Sequence, residues 1–276
     1  LEQGVIIVKI EENTKIQVLL SVMNQTDYKL LGNMKLKTDA IIINQCNTNN
    51  VEEILYNKRK VKIYSFKEKG VGLSRNTALD RASGEICLFA DDDIVYEENY
   101  DQIIEKAFYE NPKADVLVFN VDSGNLERPE YQIKRKKRLH KYTSLKYGSV
   151  RVAVRLKKVR LANIHFSLLF GGGATYSSGE DVLFLLDCIK KGLKVYSIPI
   201  KIGKIEQKNS TWFRGYDEKF FKDKGAYYKA VSKYLAVLLC LQFVIRKYKF
   251  FRKNMSRYNA FRIMRKGIKD YKKEWM

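Results

Sequence analysis

The sequence predicts an α/β protein with a doubly wound, mostly parallel sheet, followed by a helical and basic C-terminal extension. Over residues 1–122, short apolar runs alternate with segments of helical periodicity, which is typical of parallel strands connected by helices. One apolar run ends in three consecutive aspartates, at the kind of sheet edge that binds ligands. With 276 residues, of which 45% are hydrophobic, the chain can bury one large core.

The predicted strands are short runs rich in β-branched and other apolar residues. They cover residues 15–22, 40–44, 61–66, 85–90 and 115–121. Helical spacing of apolar residues predicts helices over residues 51–57, 71–82 and 99–110, and Pro112 follows the last of them.

The second half of the chain predicts one further helix and one strand before a long aromatic and basic segment. In "SSGEDVLFLLDCIKKG", Ser177 with Glu180 and Ser178 with Asp181 have the spacing of a capping box, and Gly192 ends the helix. A strand is predicted over residues 194–200. The apolar stretch 234–245 is too short to span a bilayer, so it predicts a core or interfacial helix.

The formal net charge of +21 predicts an anionic partner, and two segments carry it. Residues 131–179 contain twelve Lys and Arg and no Asp or Glu, and residues 246–276 contain twelve against Asp270 and Glu274. The four cysteines are far apart without a CxxC pair, which argues against a disulfide framework or a zinc site. Because of this charge, an alternative function is a basic nucleic-acid-binding protein without catalysis. No zinc pair or RNA-reading aromatic motif in the sequence supports that alternative.

The acidic residues of two motifs are candidates for chemistry. Asp91, Asp92 and Asp93 lie at the carboxyl end of a predicted buried strand, where carboxylates can hold a divalent cation and a phosphate. Glu180 and Asp181 lie in the first turn of a predicted helix. There they serve either to complement the helix dipole or to provide a general base.

The combination of "KGVGLSRNTALDRASGEICLFADDDI" with "SGEDVLFL" resembles the inverting, nucleotide-sugar-dependent glycosyltransferases of family 2, which have the GT-A fold. The likeness covers roughly residues 15–200, and the closing segment resembles the tails of bacterial members that build surface polysaccharide. It implies transfer of a hexose or N-acetylhexosamine from a UDP-sugar to a saccharide or lipid-linked saccharide acceptor. It also implies a divalent metal, Mn²⁺ or Mg²⁺, on the donor diphosphate.

The resemblance assigns roles to both acidic motifs. It implies that Asp91 and Asp92 contact the donor nucleotide, one of them at the ribose, and that Asp93, together with Asp91, holds the metal. It implies that Asp181 is the catalytic base, with Glu180 beside it. A hard cation stabilises the departing diphosphate and one carboxylate takes the acceptor proton, so a single displacement with inversion needs no second nucleophile.

The resemblance also implies donor-binding residues outside the acidic motifs, and these are Ser21, Asn44, Gln45 and Arg75. Arg75 matches a residue beside the nucleotide. Where family members commonly have Asp-Asp-Gly-Ser after the second strand, this chain has Asn44-Gln45-Cys46-Asn47. We therefore expect amides rather than a carboxylate to read the uracil.

Two regions follow from these assignments. Residues 1–210 are expected to form the nucleotide-sugar-binding catalytic domain, with its acceptor side over residues 123–210, and residues 211–276 an aromatic and basic helical extension. A cytoplasmic protein is expected. The extension either packs on the catalytic domain or contacts the anionic inner face of a bacterial cell membrane, because Lys and Arg are attracted to anionic lipid. Nucleic acid is not an expected partner.

Overall fold

The computed structural model describes residues 15–124, 130–206 and 215–273, with side chains described as far as residue 271. Numbered along the chain, its strands are β1 (Ile16–Met23), β2 (Asp39–Gln45), β3 (Asn50–Tyr56), β4 (Arg59–Phe66), β5 (Ile86–Asp91), β6 (Ile94–Tyr96), β7 (Val116–Ser123), β8 (Lys137–Arg138), β9 (Val152–Arg155) and β10 (Val195–Ile205). Its α-helices are α1 (Lys29–Asn33), α2 (Val71–Arg81), α3 (Tyr100–Glu110), α4 (Leu156–Leu161), α5 (Glu180–Lys190), α6 (Glu218–Val231), α7 (Ala236–Phe251) and α8 (Arg257–Lys273).

One mixed sheet contains these strands in the order β3, β4, β2, β1, β5, β9, β7, β10 and β6, with β8 beside β10. The strands β4, β2, β1 and β5 are parallel, as are β7 and β10, whereas β9 lies antiparallel between β5 and β7. Apolar side chains of α1 and α3 pack on one face of the sheet, and those of α2 and α5 pack on the other. The predicted doubly wound, mostly parallel sheet is confirmed.

The strands that the sequence predicts are present. β1, β2, β5 and β7 form because each is a run of mostly buried apolar side chains, whereas β4 is only partly buried and lies between β2 and β3. The predicted helices over residues 71–82 and 99–110 are α2 and α3, with ends shifted by one residue. The strand predicted over residues 194–200 is β10, which continues to Ile205. It extends because its second half pairs with β6 and with the end of β7.

The helix predicted over residues 51–57 is wrong, because this segment is the edge strand β3. It pairs antiparallel with β4 through a tight connection at Asn57 and Lys58. Both of these residues have positive φ, 50° and 65°, as a two-residue hairpin turn requires. Most of β3 is exposed on both faces, so its sequence lacks the alternation that distinguishes a half-buried strand from a helix.

The predicted capping box of α5 is also wrong. The N-cap residue is Gly179, and no side chain caps the helix. Glu180 and Asp181 instead turn toward Arg75 of α2, whose Nη1 lies 3.0 Å from Glu180 Oε1 and 2.6 Å from Asp181 Oδ1. Glu180 also keeps one contact at the helix terminus, because its Oε2 accepts the backbone N–H of Gly179 at 3.0 Å. The two carboxylates therefore pair with a buried cation, as charge-assisted hydrogen bonds favour, and Ser177 and Ser178 do not cap the helix.

The helices α6, α7 and α8 share an apolar core of their own. α6 and α8 approach closely because Gly225 and Gly267 lie at their crossing, where a Cβ would overlap the backbone of the other helix. α6 also contacts the rest of the chain, since the Asp223 carboxylate accepts the backbone N–H of Ser177 at 3.0 Å. The C-terminal helices therefore pack against the segment that leads into α5.

The apolar stretch 234–245 falls mostly within α7, which has one buried and one exposed side. This agrees with the prediction of a core or interfacial helix. Within the residues that the structure describes, no helix is both long enough and apolar enough to cross a membrane. The boundary predicted at residue 210 lies outside the described residues.

Candidate active site

The aspartate run lies at the carboxyl end of β5, beside the carboxyl end of β1. Asp91 is the last residue of β5, and Ser21 of β1 is its partner in the parallel register. The Ser21 hydroxyl accepts a hydrogen bond from the hydroxyl of Ser74 on α2 at 2.9 Å. Partial burial and the charge of Asp91 raise the pKa of Asp92. The acidic run thus occupies the edge at which parallel sheets bind ligands.

Arg75 connects the two acidic motifs. Its side chain is only 3% exposed, and its Nη2 donates to both carboxylate oxygens of Asp91 at 2.9 and 3.1 Å. Its Nη1 donates to Glu180 Oε1 at 3.0 Å and to Asp181 Oδ1 at 2.6 Å. One guanidinium therefore fixes the end of β5 and the first turn of α5 relative to each other.

The charge of Arg75 is stable despite its burial. Burial alone would lower the pKa of Arg75, but the charges of Asp91, Asp181 and Glu180 raise it above its ordinary value. The guanidinium also lies 5.4 Å from the centre of the Phe166 ring, which adds a cation–π contact. With three carboxylates around one cation, the cluster carries an excess of negative charge.

Glu180 and Asp181 have different environments. Burial and the charge of Asp181 raise the pKa of Glu180 to about 8, although the charge of Arg75 opposes the shift. The Asp181 side chain is 26% exposed, so one side of it faces the solvent. Burial therefore favours the protonated form of Glu180, and Asp181 is the more accessible side chain of the pair.

The triple glycine, residues 171–173, lies between α2 and α5. The backbone N–H of Val71 donates to the carbonyl of Gly172 at 2.9 Å. Gly171 has a φ of 108°, and a Cβ there would lie 2.6 Å from Val71 Cγ1 and 2.8 Å from Glu180 Cδ. Gly171 thus lets the loop pass close to the buried Glu180 side chain.

Asn44 and Gln45 lie at the carboxyl end of β2, and both amides bond to loop backbone. Asn44 accepts from the Gln25 N–H at 3.0 Å and donates to its carbonyl oxygen at 2.9 Å. Gln45 donates to the Gly70 carbonyl at 3.1 Å and accepts its N–H at 3.2 Å. The structure therefore shows these amides holding the loops after β1 and before α2. Their contact with uracil stays a prediction.

A small cavity of about 100 Å³ adjoins Asn44 at this sheet edge. Its lining combines apolar side chains from α1, β2 and β4 with the polar groups of Gln25, Tyr28, Asn44 and Ser65. Asn44 reaches Ser65 with a 3.3 Å hydrogen bond. The cavity is a partly polar space next to the loop that Asn44 holds.

Residues 5–169, more than half of the chain, match the sequence profile of glycosyl transferase family 2. The chain belongs to this family. No curated protein matches it. The family profile ends before Glu180 and Asp181, so the Arg75 cluster joins residues inside the matched region to residues beyond it.

Solved structures of TarS from S. aureus share the fold of this family 2 glycosyltransferase. The crystal structure of TarS 1–349 in complex with UDP-GlcNAc aligns with a TM-score of 0.61 at 17% identity, over 87% of this chain and 74% of that chain. The complex of the same fragment with UDP gives 0.58 at 18% identity, over 87% and 73%. The likeness shows that the chain has the GT-A fold.

Family 2 implies a divalent metal on the donor diphosphate. Among the described residues, no group of three or more His, Cys, Asp and Glu side chains is arranged to hold a metal ion. Mg²⁺, however, is commonly held by one or two carboxylates together with substrate phosphates. Asp91 shares both oxygens with Arg75, while Asp93 follows in the turn to β6. These hard oxygen donors fit such a shared site.

The ion pairs of Arg75 are the feature that sequence reasoning missed. The resemblance implied a residue beside the nucleotide, which stays a prediction, and the structure adds that its guanidinium is buried between the two acidic motifs. A signal was present, because Arg75 has helical spacing to Ala78 and Leu79, which are buried on the same face of α2. That spacing predicts a buried arginine, and a buried arginine requires carboxylate partners.

Proposed function

We propose that this family 2 glycosyltransferase transfers a hexose or N-acetylhexosamine from a UDP-sugar to a saccharide or lipid-linked saccharide acceptor, with inversion of the anomeric carbon. The observation that supports this most strongly is the joining of Asp91 and Asp181 through Arg75. One carboxylate belongs to the donor side of the reaction and the other to the acceptor side. The UDP-GlcNAc and UDP complexes of TarS support a UDP-sugar as the donor.

On the donor side, Asp91 and Asp92 bind the nucleotide part of the UDP-sugar, beside Ser21 at the end of β1. Asp93, with Asp91, would hold Mn²⁺ or Mg²⁺, which when bound neutralises charge on the departing diphosphate. Asn44 and Gln45 shape the loops around the nucleobase. Because their amides already bond to backbone, they act mainly by fixing those loops.

On the acceptor side, Asp181 acts as the general base. The acceptor hydroxyl gives its proton to Asp181 while its oxygen forms a bond to the anomeric carbon, and the bond to the UDP oxygen breaks with its electron pair leaving on UDP. Arg75 positions Asp181 without touching the acceptor. The raised pKa of Glu180 favours its protonated form, which would lower the negative charge of the cluster.

The acceptor approaches beside Gly148, where a side chain would come within 3.5 Å of Asp181 Oδ2. The neighbouring residues are aromatic and basic: Tyr147 meets Tyr131 at a ring distance of 5.8 Å, and Lys146 Nζ lies 3.5 Å from the Tyr131 ring centre. Tyr147 is buried, so the exposed ring of Tyr131 is the one that suits the apolar face of a sugar, and Lys146 suits a phosphate of a lipid-linked acceptor. The enzyme works in the cytoplasm, at the inner face of a bacterial membrane where such acceptors are assembled into surface polysaccharide.

The test is slow donor hydrolysis across a panel of UDP-, GDP- and other nucleotide sugars, with and without Mn²⁺. We expect hydrolysis of one UDP-sugar and a thermal shift with UDP, because ligands that bind the folded state stabilise it. Strongly salt-dependent binding to arbitrary DNA or RNA, with neither hydrolysis nor a UDP shift, would contradict the proposal.

A further inference from the structure

α7 has an apolar side that faces away from the rest of the protein. Its buried side, formed by Ala236, Cys240, Val244 and Phe251, packs into the core shared with α6 and α8. On another side, large apolar residues recur at helical spacing and are exposed by 43–60%. We call these residues the outer stripe, and they are Val237, Leu238, Leu241 and Ile245.

The outer stripe is not an ordinary set of scattered surface residues. Val237, Leu241 and Ile245 follow one another at intervals of four, so they lie along one line of the helix, with Leu238 next to it. Tyr234, in the turn before α7, is 88% exposed and extends the same apolar surface. A contiguous exposed patch of this kind marks a binding surface for a partner or a membrane.

Cations follow the stripe along the helix. Arg246, Lys247, Lys249, Arg252 and Lys253 are exposed, and residues 234–256 contain no Asp or Glu. None of these five cations has a carboxylate partner among the residues that the structure describes. Lys249 lies one turn after Ile245, and Arg252 nearly one turn further, so the positive charge continues from the end of the stripe. The partner therefore needs an apolar region and an anionic region side by side.

We propose that the outer stripe, together with Lys249 and Arg252 beside it, docks the enzyme on the surface of an anionic lipid bilayer. A helix that lies in the interface buries its apolar side among acyl chains while its Lys and Arg contact lipid phosphates. With 16 residues, α7 is long enough to lie along the surface, and it is not a spanning helix. A second copy of this chain is a poor occupant, because it would bring the same cations against one another.

Docking through α7 would hold the candidate active site at a fixed place relative to the bilayer. α7 packs on α6, and Asp223 of α6 bonds to the backbone of Ser177 just before the Glu180–Asp181 pair. Tyr227 of α6 lies against Gly179, the N-cap of α5. The inference rests on the proposed function only in giving the docked enzyme a lipid-linked acceptor.

The experiment measures cosedimentation of the full chain with vesicles of phosphatidylglycerol and phosphatidylcholine in equal parts, or of phosphatidylcholine alone. We expect the wild type to bind the anionic vesicles at low salt, and less at high salt because salt screens lipid charge. The triple variant Leu238→Ser, Leu241→Ser and Ile245→Ser should lose about tenfold or more in affinity, since burial of large apolar side chains drives insertion. The double variant Lys249→Gln and Arg252→Gln should lose affinity for the anionic vesicles only.

The matched control replaces exposed apolar residues elsewhere. Val51 and Leu55 on the edge strand β3 are 62% and 73% exposed, and the variant Val51→Ser with Leu55→Ser should bind vesicles like the wild type. Absence of wild-type binding to anionic vesicles at low salt would overturn the inference. So would a stripe variant that binds them normally, or a wild type that self-associates through the stripe and then does not bind lipid.

The UDP thermal shift, measured without lipid, separates this inference from the proposed function. The stripe variants should keep the wild-type shift, because their substituted residues are exposed on α7 and take no part in the Arg75 cluster. Vesicle binding without any UDP shift would leave the docking surface in place and remove the enzymatic proposal. A UDP shift without vesicle binding would support the enzymatic proposal and remove the docking surface.

Discussion

Arg75 Nη1 donates to Asp181 Oδ1 at 2.6 Å, across 106 residues of sequence. Through its other terminal nitrogen the same guanidinium binds Asp91. The position of the candidate base relative to the strand-end aspartates thus depends on one buried side chain, and this makes Arg75 the sharpest point at which to test the site.

Arg75→Met should abolish turnover and lower the free energy of unfolding. It leaves Asp91, Glu180 and Asp181 without their shared cation, and breaking a buried ion pair by removing one partner costs about 3–5 kcal/mol. Urea denaturation and donor hydrolysis measure the two effects. Arg81→Met, at the exposed end of the same helix, is the control and should change stability by less than about 1 kcal/mol. Equal effects of the two variants would show that the Arg75 network has no special role.

Asp181→Asn should lower turnover by about 10²-fold or more while UDP affinity stays near that of the wild type, because the lost group acts on the acceptor proton. Glu180→Gln is the matched variant. It should retain most activity, because glutamine resembles the protonated Glu180 that burial favours. Steady-state kinetics with calorimetric UDP binding checks both. A larger loss in Glu180→Gln than in Asp181→Asn would make Glu180 the better candidate for the base.

Stability should fall as the pH rises from about 4.5 to about 8, through the titration of Glu180. Its pKa is raised on folding, so the folded state holds the proton more tightly, and this contribution is complete below the unfolded pKa and lost above the folded one. The loss is on the order of a few kcal/mol. Urea midpoints measured across this range should decline for the wild type and decline less for Glu180→Gln. Parallel curves for the two proteins would contradict the assignment of the proton to Glu180.

Asp93→Asn should remove turnover and leave the fold intact, because a carboxylate in a strand-end turn contributes little to the core. Mn²⁺ binding in the presence of UDP, followed by electron paramagnetic resonance, should weaken in parallel, since the amide is a poorer ligand for a hard cation. Asp101→Asn in the first turn of α3 is the control, with activity expected unchanged. Full activity of Asp93→Asn, or of the wild type in EDTA, would exclude the metal role.

Gly171→Ala should destabilise the protein by about 1–3 kcal/mol and reduce turnover, because the new Cβ would press on Val71 and on the Glu180 carboxyl group at a strained φ. Gly172→Ala is the control within the same triple glycine. A Cβ at Gly172 meets nothing within 4 Å, so the substitution should change stability by less than about 1 kcal/mol. Thermal unfolding and donor hydrolysis compare them, and identical behaviour would refute the packing role of Gly171.

The sheet strands were predictable because a buried parallel strand is encoded locally, as a short apolar run between polar turns. Strand β3, the hairpin partner of β4, could not be predicted in this way. Its residues Glu52 and Glu53 are exposed, and they would be exposed in a surface helix as well. Its conformation depends on pairing with β4, in which Glu53 lies opposite Lys62 with an ion pair of 3.3 Å. Local sequence carries little information about a strand whose stability comes from its neighbour.

The sequence alone determined the fold class, the place of Asp91 at the end of a strand and the place of Glu180 and Asp181 in the first turn of a helix, because apolar patterning and glycines act over a few residues. Tertiary structure decided what those carboxylates do. Arg75 meets Asp91, 16 residues away, and Glu180, 105 residues away, only after β5 and α5 have packed around α2. A buried arginine needs partners for its charge, and those of Arg75 come from distant segments that converge only in the folded chain.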